Sequence, residues 1–265
     1  MKRIECIIMD WAGTSVDYGC FAPVAAFMES FKAIGIEVTA AETRAFMGLT
    51  KIEEIRALFG IGRVAQAFRQ KYGRDYDDND VQARYADFQR ALFATLESYS
   101  TPIPGVVETI AALRRRGIKV GSTTGYTEKM MEVVIPAAAR QGYVIDHCVT
   151  SDHLPAGRPC PYMVYQNMID LAIPSVDYVL KYGDTIADIK EGVNAKVWTV
   201  GVITGSNELA LTEAQVAAMP ADELEQRKAT VRRRMEEAGA HYVVDTIEEL
   251  PAVIEDIERR LNAPA

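Results

Sequence analysis

The sequence predicts an α/β fold in which a Rossmann-like parallel sheet carries an inserted helical domain. Short apolar runs alternate with longer helical patterns over most of the chain, which is typical of βαβ units. Residues 21–99 break that alternation, because their pattern is almost wholly helical. We therefore expect a discontinuous core of residues 1–20 and 100–265, with residues 21–99 as a separate helical domain.

Five short runs have the composition of buried strands. They lie at residues 4–9, 118–122, 178–181, 197–202 and 241–244. Helical patterns fill residues 106–116, 128–141, 163–171 and 186–194. Strands joined by helices of this length form parallel sheets, which bind ligands at the carboxyl ends of their strands.

The stretch between residues 21 and 99 contains successive amphipathic segments that begin near residues 23, 51, 64 and 78. Gly35, Gly60 and Gly73 stand where helix ends are expected. The alternation of strands and helices resumes after the turn-like sequence STPIPG at residues 100–105. The pattern therefore indicates a helical module inserted after the first strand.

Composition excludes some classes of partner. The chain has 265 residues, with 29 Lys and Arg against 37 Asp and Glu, and thus a net charge of −8. This acidic balance argues against nucleic-acid binding and against a membrane surface, because both usually need a net basic face. The chain has four cysteines without paired spacing, no signal-peptide-like start and no apolar run of about 20 residues. These features predict a cytoplasmic protein with reduced thiols.

Polar groups follow three of the predicted strands. Asp10 precedes a glycine-containing turn, Thr124 and Gly125 follow the second run, and Asp184 and Asp188 follow the third. Taken alone, each feature is more typical of a turn or a helix cap than of a site. Together, at one edge of a parallel sheet, they indicate a site, and paired acids suit a hard cation such as Mg²⁺.

This set of motifs resembles the haloacid dehalogenase superfamily, most of whose members transfer phosphoryl groups through an aspartate nucleophile. The matching motifs are DWAGT (10–14), Thr124-Gly125, the GRPCP segment around Arg158, and GDTIAD (183–188). The resemblance implies a haloacid dehalogenase-like fold in which the helical insert is a cap domain. It also implies that Asp10 is the nucleophile and that Thr124, Gly125 and Arg158 bind the phosphoryl group. A Mg²⁺ site would be formed by Asp10, the Ala12 carbonyl, Asp184 and Asp188.

Five segments narrow the resemblance to the phosphonoacetaldehyde hydrolase family. They are DWAGTSVDYGCFAP (10–23), FMGLTK (46–51), GSTTGY (121–126), PAGRP (155–159) and WTVGV (198–202). In that family a cap lysine forms an imine with the substrate aldehyde, and Lys51 stands at the matching place. Cys20 and Met47 match family positions near the active site, and Tyr126 follows the phosphate loop. All three residue types are also common in packing.

The chemistry links Ala12 to Lys51. Most phosphatases of the superfamily have an acid two residues after the nucleophile, whereas Ala12 cannot donate a proton. Breaking a C–P bond expels a carbanion, and a protonated imine accepts its electrons, so no acid is needed at position 12. The segment TKIE (50–53) has the form of a capping box, which places Lys51 in the first turn of a helix. The sequence departs from the family at Glu54, where members commonly have His; a carboxylate there favours the ammonium form of Lys51 but can also transfer protons.

The resemblance thus implies hydrolysis of phosphonoacetaldehyde to acetaldehyde and phosphate, through a Lys51 Schiff base and an aspartyl phosphate on Asp10. It further implies a small-molecule phosphonate as substrate, Mg²⁺ as cofactor and a homodimer formed through the cap helices. One alternative within the superfamily is a Mg²⁺-dependent phosphatase or phosphomutase, which Ala12 disfavours; another is a dehalogenase, which needs no Mg²⁺. An alternative of another class is a catalytically silent binding module, which the retention of Asp10 and Lys51 disfavours.

Overall fold

A parallel sheet forms the centre of the computed structural model, which describes residues 2–264. Within those residues its strands are β1 (Cys6–Met9), β2 (Lys119–Ser122), β3 (Val179–Gly183), β4 (Trp198–Val202) and β5 (Tyr242–Val244). Their order is β2-β1-β3-β4-β5, and every neighbouring pair is parallel. The predicted strands and their parallel arrangement are confirmed.

The register of the sheet brings the predicted site residues to one edge. Met9 pairs with Ser122 of β2 on one side and with Tyr182 of β3 on the other. The residues that follow these strands therefore leave the sheet side by side. Asp10 lies between the loops that contain Thr124 and Asp184, as expected for the carboxyl ends of parallel strands.

The helical insert follows β1. Its helices are α1 (Phe21–Lys32), α2 (Ala40–Arg44), α3 (Lys51–Gly60), α4 (Gly62–Tyr72) and α5 (Asp78–Phe93). Aromatic side chains join these helices into a local core: the rings of Phe27 and Phe88 are stacked 4.1 Å apart between α1 and α5. Phe59 of α3 packs against Phe31 of α1 and against Phe68 of α4. We refer to α1–α5 and their connections as the helical insert.

Two details of the insert differ from the sequence pattern. Helix α2 is not predicted, because its five residues are too few to show a helical period. A capping box defines it instead, since Thr39 Oγ1 accepts from the Glu42 N–H over 3.2 Å.

Helix α5 ends at Phe93 although the amphipathic pattern continues to residue 99. There the hydroxyls of Ser98 and Ser100 each donate over 2.7 Å to backbone carbonyls of the preceding turn, which offers the backbone an alternative to a longer helix.

Helices of the core cover the sheet. They are α6 (Val106–Arg115), α7 (Glu128–Ala139), α8 (Tyr162–Asp170), α9 (Ile186–Ala195), α10 (Glu213–Ala218), α11 (Ala221–Glu237) and α12 (Leu250–Leu261). Helices α6 to α9 agree with the predicted segments, whereas α10 to α12 lie outside them. Helix α11 shows why: of its 17 residues only Val231 and Met235 are buried, so its apolar stripe is weak.

Two expectations concern the chain as a whole. No helix of residues 2–264 has the length and apolar character needed to cross a membrane. The four cysteines, Cys6, Cys20, Cys148 and Cys160, are free thiols, as their spacing predicts.

Candidate active site

Asp10 lies at the centre of the candidate site, directly after β1, and is almost fully buried. The turn that follows brings Thr14 close: Thr14 Oγ1 donates to Asp184 Oδ1 over 2.7 Å and lies 3.5 Å from Asp10 Oδ2. Gly13 makes this turn possible, since its φ of +88° lies in the left-handed region and a Cβ there would overlap the Asp184 carboxylate. The segment after β1 is therefore shaped around two carboxylates.

Arg158 fixes the Asp10 carboxylate, to whose Oδ1 its Nη2 donates over 2.6 Å. On its other side, Nη1 lies 3.1 Å from Asp188 Oδ1, and Nε donates to Glu191 Oε2 over 3.1 Å. Burial alone would lower the pKa of Arg158, but the three carboxylates raise that pKa above its usual value. A permanent positive charge therefore adjoins Asp10 within the buried cluster.

A second buried cation, Lys181 of β3, lies within the same cluster. Its Nζ donates to Asp188 Oδ1 over 2.6 Å and lies 3.5 Å from Glu191 Oε2. Burial would raise the pKa of Asp188, but Arg158 and Lys181 together lower it below its usual value. Lys181 and Glu191 are not among the site residues predicted from the sequence. A pattern that could have indicated them is a charged residue in an otherwise apolar strand, followed by an acid on the next helix.

Asp10, Asp184 and Asp188 form a group that suits a metal ion. Each offers a carboxylate oxygen, and these oxygens lie within 4.8 Å of one another. Burial, and then the charges of Asp10 and Asp188, raise the pKa of Asp184 well above its usual value. A divalent cation among the three would offset this repulsion, and carboxylate oxygens are ligands that Mg²⁺ prefers. The residues present therefore fit the cation that the sequence predicts.

Lys51 is the first residue of α3, as the capping-box pattern predicts, and its side chain is only 4% exposed. The Glu53 carboxylate accepts from the Thr50 N–H over 3.3 Å and from the Thr50 hydroxyl over 2.6 Å, which closes the start of the helix. Lys51 Nζ donates to Glu54 Oε1 over 2.8 Å and lies 3.6 Å from Met47 Sδ. The lysine is thus held inside the protein rather than in solvent.

Glu54, the departure from the family pattern, is fully buried beside Lys51. Its Oε2 has no hydrogen-bond partner among residues 2–264. Burial raises the pKa of Glu54 to about 7, although the charge of Lys51 acts in the opposite direction. The rings of Phe27 and Tyr126 lie 5.5 and 5.6 Å from Lys51 Nζ and complete an apolar wall around the pair. The Lys51 amine and the Glu54 carboxyl group are therefore in direct contact away from bulk water.

The insert brings Lys51 to the core through residues 45–50, which pack on the loops at the sheet edge. A Cβ on Gly125 would stand 2.5 Å from the Leu49 carbonyl oxygen and 3.7 Å from Lys51 Cε. A Cβ on Gly157 would likewise stand 2.5 Å from Thr50 Cγ2. Both glycines allow a close approach of the insert that a side chain would prevent.

The remaining predicted site residues lie around the same space. Thr124 Oγ1 accepts from the Tyr126 N–H over 3.0 Å, and burial raises the pKa of Tyr126 well above its usual value. Cys20 is buried just before α1; its Cβ lies 3.1 Å from where a Cβ on Gly13 would stand, and burial raises the pKa of its thiol. Ala12 lies two residues after Asp10, in the same turn. The structure thus gathers these positions at one edge of the sheet.

Comparison with known proteins identifies the family. A model of the haloacid dehalogenase-like hydrolases matches residues 4–196. The chain is 58% identical over 264 residues to the phosphonoacetaldehyde hydrolase of Parabacteroides distasonis, covering 99% of this chain and 100% of that protein. The chain belongs to the phosphonoacetaldehyde hydrolase family of haloacid dehalogenase-like hydrolases. The phosphonoacetaldehyde hydrolase of Bacillus cereus is 50% identical over 258 residues, 97% of this chain and 98% of that protein.

Solved structures agree with membership of this family of hydrolases. A phosphonoacetaldehyde hydrolase-like protein from Oleispira antarctica superposes with a TM-score of 0.95 at 40% identity, over 97% of this chain and 94% of that one. A β-phosphoglucomutase from Clostridium difficile superposes with a TM-score of 0.70 at 15% identity, over 98% and 100%, and so shares the fold alone. The predicted fold class and the prediction of a hydrolase are confirmed, which disfavours the silent binding module.

Proposed function

We propose that this hydrolase cleaves the carbon–phosphorus bond of phosphonoacetaldehyde and releases acetaldehyde and phosphate. Relatives of that name are 58% and 50% identical to the chain over almost its whole length. The observation that carries the proposal is the buried position of Lys51 beside Gly125, in the loop next to Asp10. An amine held there can reach the aldehyde of a substrate whose phosphonate lies at Asp10.

The first step is imine formation on Lys51. Glu54 accepts the Lys51 proton across their 2.8 Å hydrogen bond, which frees the amine to attack the aldehyde carbon. The carbinolamine then takes a proton from Glu54 and loses water, leaving the imine. A carboxyl group with a pKa of about 7 suits both transfers, because it accepts and donates protons at similar cost near neutral pH.

The second step breaks the C–P bond. A carboxylate oxygen of Asp10 attacks phosphorus, and the electron pair of the C–P bond moves into the protonated imine to give an enamine. The leaving group needs no proton at oxygen, which accounts for Ala12 where phosphatases of the superfamily have an acid. Protonation of the enamine carbon and hydrolysis of the resulting imine release acetaldehyde and restore Lys51.

The third step returns Asp10 to its starting form, because water hydrolyses the aspartyl phosphate to phosphate and the free carboxylate. The Thr124 hydroxyl oxygen already accepts the Tyr126 N–H, so its own proton is available for a phosphoryl oxygen. The backbone of Gly125 is a second contact of that group, as the family resemblance implies. Arg158 orients Asp10 through their 2.6 Å hydrogen bond and adds positive charge where the phosphoryl group is transferred.

We propose Mg²⁺ as the cofactor, held by Asp10, Asp184 and the Ala12 carbonyl, with Asp188 beside them. When bound, the cation offsets negative charge on the phosphoryl oxygens. The charge of the cluster supports a divalent ion. Four buried carboxyl groups (Asp10, Asp184, Asp188 and Glu191) face two buried cations (Arg158 and Lys181), so with all four ionised the described side chains of the cluster carry two uncompensated negative charges.

From the family resemblance we also propose that residues 21–99 form a cap domain and that residues 1–20 and 100–265 form the core domain. We further propose that the protein is cytoplasmic and forms a homodimer through its cap helices. Met28 of α1 and Phe93 of α5 are exposed apolar side chains on helices that pack together, and they offer a surface for this contact. Light scattering tests the dimer: the wild type should have the mass of two chains and Met28→Glu a lower average mass. A monomeric wild type would contradict it.

Product assays test the proposed reaction. Wild-type protein with Mg²⁺ and phosphonoacetaldehyde should release acetaldehyde and phosphate in equal amounts, and a chelator should stop both. Lys51→Arg should lose this activity because a guanidinium does not form the imine, whereas Lys71→Arg, also in the insert, should retain it. Phosphate release from a phosphate monoester without cleavage of the phosphonate would instead indicate a phosphatase, and metal-independent halide release would indicate a dehalogenase.

A further inference from the structure

Arg44 joins the helical insert to the core. It is the last residue of α2, and residues 45–50 lead directly from it to Lys51. Arg44 Nη1 donates to the Gly19 carbonyl oxygen over 2.7 Å and to Asn207 Oδ1 over 3.0 Å. Asn207 Nδ2 donates back to the Arg44 carbonyl oxygen over 3.3 Å. The side chain and backbone of Arg44 are therefore both bonded to the core.

Asn207 is in turn bonded to the carboxylate cluster. It lies in the loop after β4 and is 3% exposed. Its backbone N–H donates to Asp184 Oδ2 over 2.7 Å, while Thr14 holds the other oxygen of that carboxylate. One residue thus contacts the insert through its side chain and Asp184 through its backbone.

The same loop also holds the connection between core and insert. Gly19, in the segment that enters α1, donates its N–H to the Gly205 carbonyl oxygen over 2.6 Å and accepts from Arg44 at its own carbonyl. No carboxylate of residues 2–264 lies within ion-pair distance of Arg44, whose guanidinium rests over the Phe21 ring at 4.8 Å. Arg44 Nη1 therefore bonds to carbonyl and amide oxygens of the entry segment and of the loop after β4, while the buried Nη2 has no hydrogen-bond partner among residues 2–264.

We propose that Arg44 and Asn207 are positioning residues. They couple the packing of the insert on the core, which we call its seating, to the orientation of the Asp184 carboxylate. The proposal rests on the metal site proposed above. A cation bound at Asp10, Asp184 and Asp188 then favours the arrangement in which Lys51 lies beside Gly125, and seating of the insert favours cation binding by the same factor, because such coupling is reciprocal.

Mg²⁺ binding without substrate tests the proposal, measured by calorimetry on the full chain. Arg44→Ala and Asn207→Ala should each weaken Mg²⁺ binding about five- to tenfold, and the double variant by less than the product of the two effects, because both act on one coupling. Asn207→Ala keeps the backbone N–H to Asp184 and so removes only the contact with the insert. Arg84→Ala is the matched control, since Arg84 donates to the Ser30 carbonyl within the insert and should leave binding unchanged.

Hydrogen exchange supplies a second readout that needs no turnover. Mg²⁺ should slow exchange at residues 45–50 in the wild type and in Arg84→Ala but not in Arg44→Ala, and Arg44→Lys should recover part of the effect. A wild type that binds Mg²⁺, together with Arg44→Ala and Asn207→Ala of equal affinity and equal protection, would overturn the coupling alone. A wild type that binds no Mg²⁺ would overturn the proposed metal site and the coupling with it.

Discussion

Lys51 and Glu54 form a buried ion pair whose Nζ and Oε1 atoms are 2.8 Å apart, with both side chains less than 5% exposed. One oxygen of Glu54 is left without a hydrogen-bond partner among the described residues. In the proposed reaction this pair supplies both the nucleophilic amine and the acid that imine formation needs.

Glu54→Gln tests the proton transfer between Lys51 and Glu54. The amide neither accepts the Lys51 proton nor donates one to the carbinolamine, so kcat for phosphonoacetaldehyde should fall about 10²- to 10⁴-fold. Glu54→His should retain much of the activity, because imidazole also transfers protons near neutral pH. Glu53→Gln, which changes the exposed neighbouring acid, should have little effect. Steady-state kinetics decide the matter: equal rates for the wild type and Glu54→Gln would rule out the proton transfer.

The raised pKa of Glu54 should also affect stability. Because burial raises this pKa from 4.5 to about 7, the folded protein binds more protons than the unfolded chain between these values. The contribution of Glu54 to the free energy of unfolding is therefore full below 4.5 and is lost as the pH rises through 7. Urea unfolding measures the free energy of unfolding at about pH 5 and at about pH 8. Between these two pH values it should decrease more for the wild type than for Glu54→Gln, by at most about 3 kcal/mol. Equal losses would contradict the shifted pKa.

Asp184→Asn tests the carboxylate cluster. Burial and the charges of Asp10 and Asp188 raise the pKa of Asp184, so an amide should leave the metal-free protein at least as stable as the wild type. Mg²⁺ at a hundredfold excess over its Kd should raise the free energy of unfolding of the wild type by about 2.7 kcal/mol. The same Mg²⁺ concentration should stabilise Asp184→Asn much less. Thermal unfolding with Mg²⁺ and with a chelator measures both effects, and exposed Asp78→Asn is the control.

Gly125→Ala tests the contact between the insert and the loop after β2. The new Cβ would stand 2.5 Å from the Leu49 carbonyl oxygen, so Lys51 should be displaced from the site. We expect kcat/KM to fall at least about tenfold, since overpacking of this kind costs about 1–3 kcal/mol. Gly60→Ala is the matched control, because a Cβ there meets nothing within 4 Å. Unchanged kcat/KM in Gly125→Ala would show that this close approach is not needed for turnover.

The sequence predicts the fold and one edge of the site because both depend on local patterns. Apolar runs locate the strands, and the parallel sheet then places Asp10, Thr124 and Asp184 together, since each follows a strand. Lys51 required the family resemblance, because nothing in its local pattern distinguishes it from a solvated lysine at a helix start.

The contacts that no pattern predicts join distant parts of the chain. Lys181 meets Asp188 and Glu191 only because α9 folds back along β3. Arg44 and Asn207 are 163 residues apart and belong to no motif of the sequence analysis. Hydrogen bonds of this kind depend on how the insert packs on the core, which local periodicity does not encode.

Trapping with borohydride tests the central claim, that Lys51 forms an imine with the substrate. Wild-type protein treated with phosphonoacetaldehyde and borohydride should lose activity irreversibly, and peptide mass analysis should find the reduced adduct on Lys51. Lys51→Arg should yield no such adduct, while Lys71→Arg should behave as the wild type. Continued cleavage of phosphonoacetaldehyde with no adduct on Lys51 would contradict the mechanism.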